Sequence, residues 1–304
     1  MNFDEIVRLL NYREEGGKVF VPNEIFDELP KTDLLKRGFN ETTANPISFA
    51  FAFYYLSCYL YRECKYADGI DTKVMKKILG YHENYKGVDY IIKKDGVLDK
   101  LGYTETTTNY PIHWRLIDGY TGPFFTTLSD LSIEERKLYN VVARRIKVPV
   151  KALHRTPDSK GEDWDGTFYW VENTTMIPFE VFMFCMGNDD LGIKAFYLYS
   201  YILYKSNYFG GSFNEAFPAL SDSTGFSSAT LTRTLKELEG YGMITNSHEH
   251  FIYDRDPSKT TDANTYSALK FSEFRWTKNK VKTRKVMSNE EHDKLLEQNK
   301  NLPF

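Results

Sequence analysis

The residues best suited to chemistry in this sequence form one polar face of a predicted helix at 227–238. Leu231, Leu235 and Leu238 recur at the spacing of a single buried helical stripe. The opposite face carries short hydrogen-bonding side chains and cations, namely Ser228, Thr230, Thr232, Arg233 and Lys236. On a helix, such side chains suit contacts with base edges and phosphates in the major groove of DNA. We therefore predict that these residues bind DNA.

The segments on either side of this face predict a helix–turn–helix followed by a hairpin. Gly225 allows the sharp turn that ends the first helix, and Ser227 can cap the second. A strand is expected to begin at 243–244, and a returning strand is expected at 264–269. The polar hairpin tip carries two cations that we predict to contact the phosphate backbone, Arg255 and Lys259.

This pattern resembles the winged-helix domains of bacterial plasmid and phage replication proteins and related regulators. The likeness covers residues 220–266 and rests on the Gly-x-Ser turn, the Leu-Lys-x-Leu helix, the glycine-hydrophobic-isoleucine strand start and the Asn-x-Tyr of the returning strand. The resemblance implies a winged-helix fold, DNA contact by the polar face described above and wing contact near Lys259. It also implies a role in replication or in the control of transcription.

The chain contains an internal repeat, which is the main evidence for its domain organisation. Residues 52–62 and 195–205 are identical at six of eleven positions. Three shorter matches occur in the same order in both copies: 20–26 with 176–182, 79–81 with 224–226, and 96–98 with 242–244. We therefore predict two copies of one domain. In the first copy, the second and third helices are expected at 72–79 and 86–94, and the hairpin at 104–109.

These features predict a mainly α fold with small β-hairpins (α+β), in which two winged-helix domains lie in tandem. The expected divisions are an N-terminal winged-helix-like domain at 1–116, a central linker segment at 117–175, a C-terminal winged-helix domain at 176–270, and a basic arm with a short helix at 271–304. Within the linker, the capping-box pattern of Ser132 and Glu135 predicts a helix to about residue 146, and 167–171 has a strand pattern.

Cations in the first copy extend the predicted DNA interface. Its expected third helix carries Lys86, Lys93 and Lys94. A longer turn at 81–85 precedes this helix, unlike the short turn of the second copy, and does not favour its insertion into a major groove. These lysines can therefore position a phosphate, read bases or belong to a dimerising surface.

A basic arm follows the second hairpin. Residues 270–286 hold seven cations against one acid. Lys278, Lys280 and Lys282 alternate, so an extended arm presents them on one side, where they can follow phosphates or enter a minor groove. The alternative for this arm is a solvated tail.

Composition limits the classes of function that the chain can have. With 304 residues, 41% of them hydrophobic, it can form a sizeable core. A net charge of −3 excludes a uniformly basic DNA binder, so DNA contacts must come from local clusters. Three scattered cysteines favour a reducing compartment, and the acidic start is unlike a signal peptide. The longest apolar run, 46–60, is shorter than a membrane span, so we expect a cytoplasmic protein.

The sequence offers little for catalysis. It has no glycine-rich phosphate loop and no cysteine pair at zinc spacing. His248 and His250 could share a metal, as in DNA-nicking enzymes, but Glu249 stands between them in place of the usual apolar residue.

The leading hypothesis is a sequence-specific double-stranded DNA-binding protein without enzymatic activity, cofactor or metal. We expect it to initiate or organise the replication of a plasmid, phage or mobile element, as a homodimer and with the replication machinery as a further partner. The alternatives are a winged-helix transcriptional regulator, a protein-interaction scaffold and a nicking enzyme.

Overall fold

The structure is a computed structural model. The residues it describes are 1–36, 44–119, 121–139, 141–156, 159–160, 164–248, 251–252, 263–281 and 286–300. The helices are α1 (Phe3–Leu10), α2 (Ile25–Lys31), α3 (Ala44–Arg62), α4 (Thr72–Ile78), α5 (Asp89–Ile92), α6 (Val97–Lys100), α7 (Ile133–Leu138), α8 (Val150–Leu153), α9 (Phe179–Met186), α10 (Gly192–Tyr208), α11 (Phe217–Thr224), α12 (Ser228–Gly240) and α13 (Asn289–Lys300). The strands are β1 (Lys18–Pro22), β2 (Thr104–Thr107), β3 (Pro111–Arg115), β4 (Phe124–Thr127), β5 (Ile146–Pro149), β6 (Thr174–Pro178), β7 (Phe213–Glu215), β8 (Ile244–Ser247), β9 (Phe251–Ile252), β10 (Asn264–Ala268) and β11 (Val286–Met287).

The strands form several small sheets. Two-stranded antiparallel sheets join β1 with β6, β2 with β5, and β3 with β4. A three-stranded antiparallel sheet has the order β7–β10–β8, and a short parallel pair joins β9 with β11. This combination of helices with small, mainly antiparallel sheets confirms the predicted α+β class.

Two long, aromatic-rich helices, α3 and α10, pack against each other inside the protein. Helix α3 is buried at every position from 46 to 61, and α10 at every position from 195 to 202. Helices this apolar on all sides are stable only within a core. Phe51 and Tyr55 pack on Phe196, with ring centroids 5.6 and 4.8 Å apart. Both repeat copies therefore contribute to one hydrophobic core.

The matching strands of the two copies, β1 and β6, pair with each other. Phe20 and Met176 occupy the same position in the repeat, and they are direct partners in this antiparallel pair. When equivalent residues pair in antiparallel register, the two strands are related by a local twofold axis. The duplicated segments thus face each other across the β1–β6 pair.

Hydrogen bonds recur at the matched positions of the two long helices. The Ser57 hydroxyl donates to the Phe53 carbonyl at 2.8 Å, and the Ser200 hydroxyl donates to the Phe196 carbonyl at 2.7 Å. These serines satisfy their polar groups within the helix, which allows them to lie in an apolar core. The predicted match of 52–62 with 195–205 is therefore also a match in local structure.

The match of 79–81 with 224–226 is confirmed by the turns that follow α4 and α11. Gly80 and Gly225 adopt left-handed conformations with φ of 82° and 69°. The following residues donate backbone hydrogen bonds across the turn in the same way, from Tyr81 to the Lys76 carbonyl and from Phe226 to the Ser221 carbonyl. Both copies end this helix with the same glycine cap.

The predicted match of 96–98 with 242–244 is wrong, and 102–104 is the structural counterpart of 242–244. Gly102 and Gly242 both adopt positive φ, 74° and 65°, directly after a helix. The next residues repeat one hydrogen bond, from Tyr103 to Leu98 O at 2.9 Å and from Met243 to Leu238 O at 2.8 Å. Gly96 instead precedes α6 as its N-cap.

The hairpin of the first copy differs from the short one predicted at 104–109. Strand β2 pairs with β5, and β3, β4 and α7 lie between them in the chain. The Val150 N–H donates to the Tyr103 carbonyl, just as the Leu269 N–H donates to the Met243 carbonyl in the second copy. The segment predicted as a linker therefore supplies the returning strand of the first copy. Strand pairs join segments across both expected divisions, near 116 and 175.

Three other local predictions need correction. The helix expected to reach residue 146 ends at Leu138, and none of its residues is buried, so packing does not extend it. Residues 167–171 include a turn and no strand. The helix expected at 86–94 is limited to α5, because Lys93 is extended and Asp95 has a left-handed φ of 58°. The helix expected at 72–79 is confirmed as α4.

Candidate nucleic-acid interface

The turn between α11 and α12 holds the polar helix in place. Gly225 has a φ of 69°, and an added Cβ there would lie 2.5 Å from the Cδ1 of buried Ile47. Glycine is therefore required both by the backbone and by the closeness of α3. Ser227 caps α12, because its hydroxyl accepts the Thr230 N–H at 3.3 Å.

Helix α12 has the buried and exposed faces that its sequence predicts, with one correction. Leu231, Leu235 and Leu238 are buried as the predicted stripe. Thr230 is also buried, at 8% exposure, and its hydroxyl accepts a hydrogen bond from the Ser227 hydroxyl at 3.0 Å. Thr230 thus belongs to the packed side of the helix and is not placed to contact DNA.

The exposed side of α12 is a continuous ridge. Its residues lie one and two helical turns apart and are Ser228, Ala229, Thr232, Arg233 and Lys236. Sequence reasoning left out Ala229, whose small side chain lets the helix approach a partner closely and can contact a thymine methyl group. We call these residues the α12 ridge.

A cation from another helix lies beside this ridge. Lys194, in α10, is half-buried, and burial together with the positive charge of Arg233 lowers the pKa of its ammonium group. Two neighbouring cations repel each other unless an anion lies between them. Lys194 was missed in the sequence because nothing local distinguishes it and only the packing of α10 on α12 brings it to Arg233.

Two acids follow the ridge, and both are engaged by other side chains. Glu237 forms an ion pair with Lys278. Glu239 accepts a hydrogen bond from the Asn246 side chain at 3.4 Å, and burial raises the pKa of its carboxyl group. These contacts reduce the repulsion that the two carboxylates would exert on a phosphate near the ridge.

The basic arm is docked against the end of α12 over its described residues. The Asn279 N–H donates to the Gly240 carbonyl at 2.9 Å, and the Trp276 ring packs edge-on against Phe3 at 5.2 Å. Lys278 is held by Glu237 and lies 3.9 Å from Asp190 Oδ2, and its hydrogen bond to Glu237 raises its pKa. Lys278 is thus already paired with an acid while 39% of its side chain stays exposed, and its contact with phosphates stays a prediction. Lys280 is exposed.

Three predicted DNA contacts lie outside the described residues: Arg255, Lys259 and Lys282. So do Glu249 and His250, which were considered only for the nicking alternative. The strands at the base of the hairpin, β8 and β10, are described and pair in antiparallel register. In the part of the chain that the structure describes, no group of three or more His, Cys, Asp and Glu side chains could hold a metal ion.

The predicted cations of the first copy are all exposed, but they do not form a ridge. Lys93 and Lys94 line a concave groove together with Arg145. Lys86 is exposed and does not line this groove. Because α5 ends at Ile92, the first copy does not present a long helix comparable to α12.

Family models, curated proteins and solved structures were compared with this chain, and none matches it. Among the helices of the described ranges, none combines the length and the apolarity needed to cross a membrane.

Proposed function

We propose that this chain is a sequence-specific double-stranded DNA-binding protein, with the α12 ridge as its reading surface. The observation that carries the proposal is the division of α12 into a leucine face buried in the core and an exposed face of hydroxyls and cations. Neither Arg233 nor Lys236 forms an ion pair with another described residue, so both remain available to a polyanion.

The chemistry of the ridge suits direct contact with bases and phosphates. Arg233, near the middle of α12, can donate two parallel hydrogen bonds to guanine O6 and N7. The Thr232 hydroxyl donates to the Ser228 carbonyl at 2.8 Å, which leaves its lone pairs free to accept from a base amino group. Lys194 beside Arg233 is suited to a phosphate of the flanking backbone.

We also propose that both copies are winged helices in tandem. In the second copy, the order α10, β7, α11, α12, β8, β10 and the sheet order β7–β10–β8 support this assignment. In the first copy, α3, α4, α5 and α6, β2 and β5 follow the same order, and the chain between α3 and α4 turns without a strand. The inserted hairpin β3–β4 then belongs to the first wing.

A role in replication initiation is the part of the proposal that rests on the sequence resemblance. Two copies of one unit in a chain, one reading DNA and the other dimerising, resemble the architecture of plasmid replication initiators. Selection of bound fragments from genomic DNA distinguishes a replication initiator from a transcriptional regulator. An initiator should select repeated sites at one origin, whereas a regulator should select single palindromes at promoters. Homodimer formation stays a prediction.

Binding to a selected duplex, measured by fluorescence anisotropy at several salt concentrations, tests the proposal. We expect Arg233→Ala to weaken binding to the selected duplex by about 1–3 kcal/mol and to weaken binding to unrelated duplexes much less. Arg13→Ala is the matched control, because Arg13 is also exposed and lies near the N-terminus. If the wild-type protein selects no duplex, or if both variants bind alike, the α12 ridge is not a DNA-reading surface.

A further inference from the structure

The first copy contains a concave groove that the proposed DNA contact does not use. Its volume is about 760 Å³, within the range of small-molecule sites in proteins. The walls come from α5 and the residues after it, from β2 and the residues after it, and from the start of β5. The groove thus lies between the helix and the strand pair of the first copy.

Three cations line this groove without partners among the described residues. Lys93, Lys94 and Arg145 are all exposed, and none of them forms an ion pair within the described ranges. Their positive charges lie around one concave opening, whereas the cations of α12 are spaced along a ridge. A concave cationic site suits a compact anion, whereas a ridge of cations suits an extended phosphate backbone.

Two of the acids near these cations are paired with buried lysines. Asp89 forms an ion pair with Lys76, whose side chain is only 7% exposed. Both oxygens of Asp99 accept hydrogen bonds from the ammonium group of Lys147, at 2.6 and 2.7 Å, and Lys147 is 5% exposed. These two carboxylates are balanced by their partners, whereas Asp95, exposed beside Lys94 and close enough to act on Lys147, offsets one of the three free positive charges. The groove therefore keeps a net positive charge.

The remaining lining residues are suited to the other parts of a nucleotide. Ile92 and Ile146 give the groove a small apolar floor, since they are only 4% and 2% exposed. Thr72, Thr107 and Thr108 add hydroxyl groups that can donate to phosphate or ribose oxygens. Three cations, hydroxyls and an apolar floor in about 760 Å³ fit a ligand with several negative charges and one uncharged ring system.

We propose that this groove binds a nucleoside di- or triphosphate, with the phosphates at Lys93, Lys94 and Arg145. The site holds the phosphates with side-chain cations and hydroxyls, and so it needs none of the glycine-rich loops used by nucleotide hydrolases. The proposal concerns binding and includes no hydrolysis. It does not depend on the α12 ridge, since the two sites share no residue.

Isothermal titration of the full chain with ATP tests the proposal. We expect saturable binding by the wild-type protein and at least about tenfold weaker binding by the double variant Lys93→Gln/Arg145→Gln, since each cation supplies a charge-assisted hydrogen bond. Lys100→Gln is the matched control, because Lys100 is exposed on neighbouring α6 and does not line the groove. It should bind ATP as the wild type does.

Two further measurements keep the proposal open to refutation. ATP should protect Lys93 and Lys94 of the wild-type chain, but not Lys100, from acetylation read by mass spectrometry. This readout needs no variant and stands even if the double variant folds poorly. The selected DNA duplex should bind to the double variant within about twofold of the wild type.

Three outcomes overturn the assignment of a nucleotide. These are no saturable ATP binding, equal ATP binding by the double variant, and no protection of the groove lysines. A duplex affinity that falls in the double variant as far as in Arg233→Ala would assign the groove to the DNA backbone instead. Because ATP binding and duplex binding are measured separately, failure of one proposal is distinguishable from failure of the other.

Discussion

The turn glycines of the two copies allow a paired test of how α12 is positioned. Gly80 and Gly225 have similar left-handed conformations, with φ of 82° and 69°. They differ in their surroundings, because a Cβ added at Gly80 meets no atom within 4 Å, whereas one at Gly225 would lie 2.5 Å from Ile47 Cδ1. The two alanine substitutions therefore share the backbone cost and differ in the packing cost.

The expected magnitudes follow from this difference. Placing alanine in a left-handed conformation costs about 1–2 kcal/mol, which is the whole effect expected for Gly80→Ala. Overfilling the contact with Ile47, which is buried in the core, adds about 1–3 kcal/mol for Gly225→Ala. Gly225→Ala should therefore destabilise the protein by about 2–5 kcal/mol.

Thermal unfolding of both variants, followed by circular dichroism, measures the difference. We expect both variants to melt below the wild type and Gly225→Ala to melt below Gly80→Ala. Gly225→Ala should also weaken duplex binding at a temperature where it is still folded, because the turn sets the orientation of α12. Equal melting temperatures for the two variants would refute the packing argument, and a variant as stable as the wild type would refute the requirement for glycine.

Four other substitutions, in three tests, address single features of the same site. Thr230→Ala should leave the affinity for the selected duplex within about twofold of the wild type, whereas Thr232→Ala should weaken it, because only Thr232 is exposed. Equal losses of affinity would show that Thr230 reaches the DNA. Lys194→Gln should make binding less sensitive to salt: the slope of log affinity against log salt should be smaller in magnitude by about 0.9, the value for one phosphate contact. An unchanged slope would show that Lys194 does not contact DNA. Glu239→Gln should raise the melting temperature at neutral pH, because burial raises the pKa of the Glu239 carboxyl and so disfavours its charged form. The Glu239 carboxyl binds a proton more readily in the folded state than in the unfolded chain. The stabilisation by Glu239→Gln should therefore shrink as the pH falls and the wild-type carboxyl becomes protonated. A difference in melting temperature that does not depend on pH would contradict this reasoning.

The features that could be predicted from the sequence depend on short-range spacing. The leucine stripe of α12 follows from the helical period, and the Ser227 cap and the Gly225 turn follow from the conformational preferences of those residues. The helix expected at 72–79 is likewise present, as α4. The internal repeat was also visible, because matched aromatic helices keep their residue order when they are duplicated.

The features that were missed depend on partners far apart in the chain. Helical period alone did not place Thr230 on the packed side, because that side is wider than the leucine stripe. Nothing near Lys278 indicates that Glu237 holds it, and nothing near β2 indicates that β5 is its partner. A short hairpin was expected because strands that follow each other in a sequence usually pair. Only the structure shows that β3, β4 and α7 separate β2 from its partner β5 in the chain.

The sequence by itself determined the α+β class, the match between the two long aromatic helices and the amphipathic helix α12, because hydrophobic period and turn residues act over a few positions. The tertiary structure decided which cations are free. It pairs Lys278 with an acid, brings Lys194 to Arg233, and leaves Lys93, Lys94 and Arg145 without an ion pair among the described residues around one groove. Charge counts along the chain cannot separate these cases, because the availability of a charge depends on the side chains that folding places within a few ångströms of it.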